Sequence, residues 1–224
     1  MIGVTSPLGS PVIEFAVEHG AHPDVTLWDA GFVPIRPLSA SRVDGDVTVV
    51  MLIRAAGKAD RPQRHRPKLI ETRPVGEEPV VHQRMAAYAL VTSSRGLLGT
   101  VCSPRTSATG VWMLPGGGLN DDESPSDAVI REIYEETGQE ARLDRLLTVQ
   151  SDHWVGRSPA GTLEDFHALR IIYAATCSTP TDPVVHDHAG TTQHAAWVPR
   201  SKWRALPWTA GARVLLTEHV SPAW

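Results

Sequence analysis

The stretch "MLPGGGLNDDESPSDAVIREIYEETGQE", Met113 to Glu140, decides how the chain folds. Its punctuation is that of a loop entering a helix. Ser124 suits the N-cap, Pro125 the first helical position, and Asp127 completes a capping-box-like pair. Gly138 suits the C′ position that ends the helix. Inside it, Glu132, Glu135 and Glu136 stand at i, i+3 and i+4, spacings at which like charges repel by a few tenths of a kcal/mol per pair. At 100° per residue they share an arc of about 100°. Ile130, Ile133, Tyr134 and Thr137 fall on the other side and are the expected burying face. Arg131 can reach Glu135 at i+4 and Asp127 at i−4, which offsets part of the repulsion.

An acidic cluster alone is most often a solvated helix face. The run "PGGG" just upstream changes the reading, because backbone without Cβ atoms lets carbonyls and amides approach a ligand closely. Hard carboxylate oxygens beside such a loop suit Mg²⁺ or Mn²⁺, which bind through a few carboxylates, water and substrate phosphate oxygens. A divalent cation turns three repelling charges into ligands.

The spacing itself is recognisable. Gly117, five residues, Glu123, seven residues, then Arg131-Glu132-Ile133-Tyr134-Glu135-Glu136-Thr137-Gly138 resembles the Nudix box of the Nudix hydrolases. One position departs: Gln139 stands where the pattern has an aliphatic residue. The resemblance implies a Nudix-type α/β/α sandwich with a mixed sheet, and hydrolysis of a nucleoside diphosphate linked to another moiety. It implies Mg²⁺ or Mn²⁺ as cofactor and a small-molecule nucleotide as partner. By position, the implied metal ligands are Glu132, Glu135, Glu136 and the carbonyl of Gly116, supported by Gly117, Glu123 and Arg131. The general base stays open between a box glutamate, Glu132 first, and an acid outside the box such as Glu164 or Asp165.

Working outward, "MAAYALVT" and "LLGTVC" read as strands joined by the turn "SSRG". Leu146–Gln150 and Phe166–Ala175 read as two strands joined by a long polar loop that carries Glu164 and Asp165. "AAWVPR" reads as another strand and "GARVLLTEHV" as a helix. Arg105 and Trp154 are candidates to touch phosphate and base, with Glu164 a third substrate contact. The histidines give no set with recognisable metal-ligand spacing; His186 and His188 fit a loop as well as a zinc site.

Residues 1–55 form a separate N-terminal extension. "VIEFAVE", "VTLWD" and "VTVVMLI" are its strand candidates, suggesting a small β-subdomain or an exchanged element in a homodimer. Residues 56–79 read as a Pro- and charge-rich linker, and residues 80–224 as the Nudix domain. Arg54, Lys58, Arg61, Arg64, Arg66, Lys68 and Arg73 make this join basic. A solvated charge run is the plain reading and an RNA- or polyphosphate-attracting arm the functional one.

The formal net charge of −4 gives no general pull toward nucleic acid or membrane, and the longest apolar run, Val47–Ile53, is too short to span a bilayer. The two cysteines, Cys102 and Cys177, make neither metal spacing nor a disulfide framework, so reduced thiols and a cytoplasmic setting are expected. The rival from another class is a Nudix-like nucleotide sensor without turnover. Such a protein would be expected to lose box glutamates, and all are present here.

Overall fold

The computed structural model describes residues 1–62, 68–69, 76–106, 108–158, 160–187 and 190–220. In chain order the elements are β1 Ile2–Val4, β2 Pro11–Glu14, α1 Pro23–Asp29, β3 Phe32–Val43, β4 Asp46–Ala55, β5 Lys68–Leu69, β6 Val80–Ser93 and β7 Gly96–Cys102. There follow β8 Trp112–Met113, β9 Gly116–Gly118, α2 Pro125–Thr137, β10 Arg142–Arg157, β11 Leu163–Thr176, β12 Thr192–Val198 and α3 Ala210–His219. Mixed sheets with helices make this the α/β class that the sequence predicts.

Two compact units share the chain: Met1–Met85 with Leu146–Ile171, and Ala86–Arg145 with Ile172–Trp224. Strands β6, β10 and β11 each have residues in both. The first unit holds a four-stranded sheet in the order β2-β1-β4-β3, the mainly-β extension expected at the N-terminus, and a strand set ordered β6-β11-β10-β5. Leu27, Met51 and Ile53 form a buried cluster there, with Met1, Ile13, Phe15, Phe32 and Val149 packed against it. In the second unit the order is β12-β7-β6-β11-β10, with β8 on β7 and β9 on β6. Leu97, Leu98, Ile133, Ile172, Leu215 and Leu216 are fully buried in it. Helix α2 lies against β9 and β12, which brings the glycine run and the acidic helix together.

Local departures from the sequence reading have physical causes. "VTLWD" is helix, not strand. Pro23 opens α1 and His22 caps it, its Nδ1 accepting from the Asp24 N–H at 3.3 Å. The expected long polar loop is short: β10 runs on to Arg157 and β11 begins at Leu163, with the Ser158 N–H on the Thr162 carbonyl at 2.9 Å. Glu164 and Asp165 therefore sit on β11, not on a loop. The polar side chains of these strands find partners, as Arg170 does in Asp152 at 2.6 Å, so polarity does not signal a loop here.

The buried face of α2 is also turned from the expectation. Ala128, Val129, Ile133, Glu136 and Thr137 are buried, while Ile130 and Tyr134 are exposed, Tyr134 stacking on the His186 ring at 5.1 Å. The helix rolls so that one glutamate goes inside with the apolar residues. Of the basic stretch, Arg54 is held bidentately by Asp60 at 2.7 Å on both arms, and Arg61 stands over the Trp28 ring. Arg64, Arg66, Arg73 and also His188 lie outside the described residues. Both cysteines are free and buried. Among the described residues no helix is long and apolar enough to cross a membrane.

Candidate metal and phosphate site on helix α2

The site is built by the caps of α2. Ser124 Oγ accepts from the Asp127 N–H at 3.2 Å and donates to the Asp127 carboxylate at 2.7 Å. Gly138, at φ 64°, ends the helix with its N–H on the Tyr134 carbonyl at 2.7 Å. Residues 184–187 satisfy further carbonyls of the last turn. Val184 N–H donates to Thr137 O at 2.9 Å, and the N–H groups of His186 and Asp187 to Glu135 O at 2.8 and 3.1 Å.

Arg131 organises the acids. Its Nε and Nη2 grip Glu123 at 2.8 and 2.9 Å, Nη1 donates to Glu132 at 3.0 Å and Glu135 at 2.9 Å, and Nη2 reaches the Gly118 carbonyl at 3.2 Å. Those bonds use all five guanidinium N–H groups, so none is left for Asp127, which pairs with its own N-cap instead. The surrounding carboxylates, Glu123 foremost, hold the Arg131 charge firmly on.

Glu136 has a different environment. It is 6% exposed, accepting from the Gly116 N–H at 3.0 Å and from the Thr192 hydroxyl. Both donors are neutral. Burial pushes its carboxyl up to about 7; the two hydrogen bonds oppose this, and the charges of Glu132 and Asp187 add to it. A buried acid next to further negative charge is what a divalent cation would stabilise, so the donor set fits a hard cation.

The glycines are needed for approach. At Gly116, with φ 143°, a Cβ would stand 2.3 Å from the Ala87 carbonyl oxygen; at Gly117 it would stand 2.5 Å from Glu132 Oε1. The second absence lets the Glu132 carboxylate rest directly on the loop. Gln139 is buried too, and its amide is consumed. Nε2 donates to Thr137 O at 3.2 Å and Thr181 Oγ1 at 2.9 Å, and Oε1 accepts from the Thr181 N–H at 3.0 Å. The departure from the aliphatic pattern is accommodated by hydrogen bonding instead of apolar packing.

The structure thus gathers Gly116, Gly117, Glu123, Arg131, Glu132, Glu135 and Glu136 in the second unit. Arg105 belongs there as well, lining an open cleft of about 610 Å³ with Ser103, Val185, Thr192 and His194. Trp154 and Glu164 belong to the first unit, where Trp154 stacks on Phe166 at 4.5 Å. Thr192 and Asp187 are site residues that the sequence reading missed. Neither stands in a spacing tied to the box, and only the fold returns them to it.

The NUDIX domain family model matches residues 82–218. Over 38 residues the chain is 50% identical to diphosphoinositol polyphosphate phosphohydrolase 3-alpha of Mus musculus, which is 17% of this chain and 23% of that protein. Over 38 residues it is 47% identical to diphosphoinositol polyphosphate phosphohydrolase 2 of Homo sapiens, 17% of this chain and 21% of that one. The chain spans less than a quarter of the length of these curated relatives. It is also similar to a solved MutT protein from Methanosarcina mazei Go1, with 22% identity, a TM-score of 0.48, and coverage of 61% of this chain and 92% of that one.

Proposed function

The chain belongs to the NUDIX domain family, and from that premise we propose that it is a divalent-cation-dependent hydrolase. Its substrate is a nucleoside diphosphate linked to another moiety, and the bond cleaved is the pyrophosphate. The observation that carries the reading is Glu136, a buried carboxyl held by two neutral donors beside Glu132, with Arg131 committed elsewhere.

In this reading Glu132, Glu135, Glu136 and the Gly116 carbonyl hold Mg²⁺ or Mn²⁺. The cation, when bound, lowers the pKa of water and neutralises phosphate charge. The protein's own part is positional. Thr192 and the Gly116 N–H fix the Glu136 rotamer, Arg131 and Glu123 fix Glu132 and Glu135, and the missing Cβ of Gly117 leaves Glu132 room. Glu132 is the box residue we assign as general base. Arg105, in the cleft with Thr192, is the phosphate contact.

The test is to incubate the protein with Mg²⁺ or Mn²⁺ and nucleoside triphosphates, nucleotide sugars, ADP-ribose, dinucleoside polyphosphates and capped RNA. Glu135→Gln and Glu136→Gln run alongside. Turnover of one class, lost without metal and in both variants, is expected. Nucleotide binding by calorimetry with no turnover of any class would overturn the hydrolase reading and favour a sensor.

A further inference from the structure

We propose that His19, His153 and Asp165 form a binding site for a borderline transition-metal cation, Zn²⁺ by chemistry, separate in residues and in ligand type from the box glutamates. All three belong to the first unit. His19 sits on a turn before α1, His153 on β10 and Asp165 on β11. Their donor atoms lie within 4.8 Å of one another. The Nε2 atoms of His19 and His153 both point at Asp165 Oδ1, at 3.0 and 2.5 Å. The three side chains are about three-quarters or more buried, at 26%, 18% and 25% exposure.

Two imidazoles converging on one carboxylate oxygen is a metal-ready geometry. A tetrahedral cation with ligands at about 2.0–2.1 Å needs its donors about 3.3 Å apart. To reach that, the His19 contact with Asp165 opens by about 0.3 Å and the His153 contact by about 0.8 Å. Three protein ligands leave a further position for water. Imidazole with carboxylate favours Zn²⁺ over Mg²⁺, which prefers oxygen and retains its water. The all-oxygen box site has the opposite preference.

The surroundings hold the ligands in place. The fully buried His167 takes the Gly20 N–H on Nδ1 at 3.0 Å and meets Ser151 Oγ through Nε2 at 2.9 Å. Its Nδ1 also lies 3.0 Å from Gln83 Oε1, so the ring is held from both sides and is occupied in positioning the turn that carries His19. Gly20, at φ 74°, lies so close to the His153 ring that a Cβ would stand 2.8 Å from Cε1. His19 Nδ1 is buried with no hydrogen-bond partner among the described residues. Bound metal would tie this turn to β10 and β11 and stabilise the folded chain by mass action.

The test uses the full chain carrying Glu135→Gln and Glu136→Gln, so that box binding does not contribute. Zn²⁺ and Co²⁺ are titrated by calorimetry, and Co²⁺ also by visible absorption. One equivalent of either is expected to bind, to raise the Tm and, for Co²⁺, to give the intense bands of a tetrahedral nitrogen and oxygen site, while Mg²⁺ does none of these. Since loss of a supporting partner alone costs about 10–100-fold in affinity, His153→Gln and Asp165→Asn should cost more than about 100-fold. His19→Gln, on the turn, serves if either strand variant fails to fold by near-UV circular dichroism. No Zn²⁺ or Co²⁺ binding, or binding undiminished in folded His19→Gln and Asp165→Asn proteins, would overturn the site.

Discussion

The Thr192 hydroxyl donates to Glu136 Oε1 across 56 residues of chain, and that one bond joins β12 to the acidic helix. Removing the hydroxyl leaves the buried carboxylate accepting from the Gly116 N–H without its bond from Thr192. Thr192→Val should therefore raise the Glu136 pKa further and destabilise the protein by about 1–3 kcal/mol. Urea unfolding measures the stability and Mn²⁺ titration the weakened cation binding; full affinity in the variant would contradict the role given to Thr192.

Gly116 and Gly117 are adjacent but should fail differently. A Cβ at Gly116 meets fixed backbone, the Ala87 carbonyl, at a φ of 143°. A Cβ at Gly117 meets the movable end of Glu132. Gly116→Ala should thus cost several kcal/mol or prevent folding. Gly117→Ala should fold with nearly unchanged Tm and bind Mn²⁺ about tenfold more weakly, because Glu132 swings away. Equal Tm losses in the two variants would refute the distinction.

Gln139→Leu brings in the aliphatic residue of the box pattern, yet it should destabilise. The amide hydrogen bonds to Thr137 and Thr181 go, and the Thr181 N–H loses its acceptor. A cost of about 1–2 kcal/mol is expected in denaturant titration. A more stable Gln139→Leu protein would show that apolar packing outweighs those bonds.

Two buried groups give opposite pH dependences in metal-free protein. Glu136 is raised to about 7, so between about 4.5 and 7 the folded state binds the extra proton. Its contribution is complete below the unfolded pKa and lost as pH rises through 7. His167 is lowered to about 4, by burial first and then by the nearby charges of His153 and His19. Its contribution is complete above about 6.5 and lost as pH falls toward 4. Each is worth on the order of 3 kcal/mol. Thermal unfolding in chelator from pH 4 to 7.5 should show stability climbing with pH in Glu136→Gln and falling with pH in His167→Gln. Matching slopes in the two variants would exclude this assignment.

What the sequence by itself determined is local. Ser124, Pro125 and Gly138 set the limits of α2, and the spacing from Gly117 to Glu136 identified the family and the acidic face. These signals act within a few turns of one helix, where residue spacing translates directly into geometry. Which face of α2 is buried was decided by β9 and β12, and so Glu136 and not Ile130 or Tyr134 went inside. The length of β10 and β11 was decided by cross-strand partners for residues such as Asp152 and Arg170 that read as loop when seen alone. Thr192 at Glu136, and His19 at Asp165, are separated by 56 and 146 residues. No periodicity spans such distances. Only the pairing of strands in the folded chain brings those atoms within a hydrogen bond of each other.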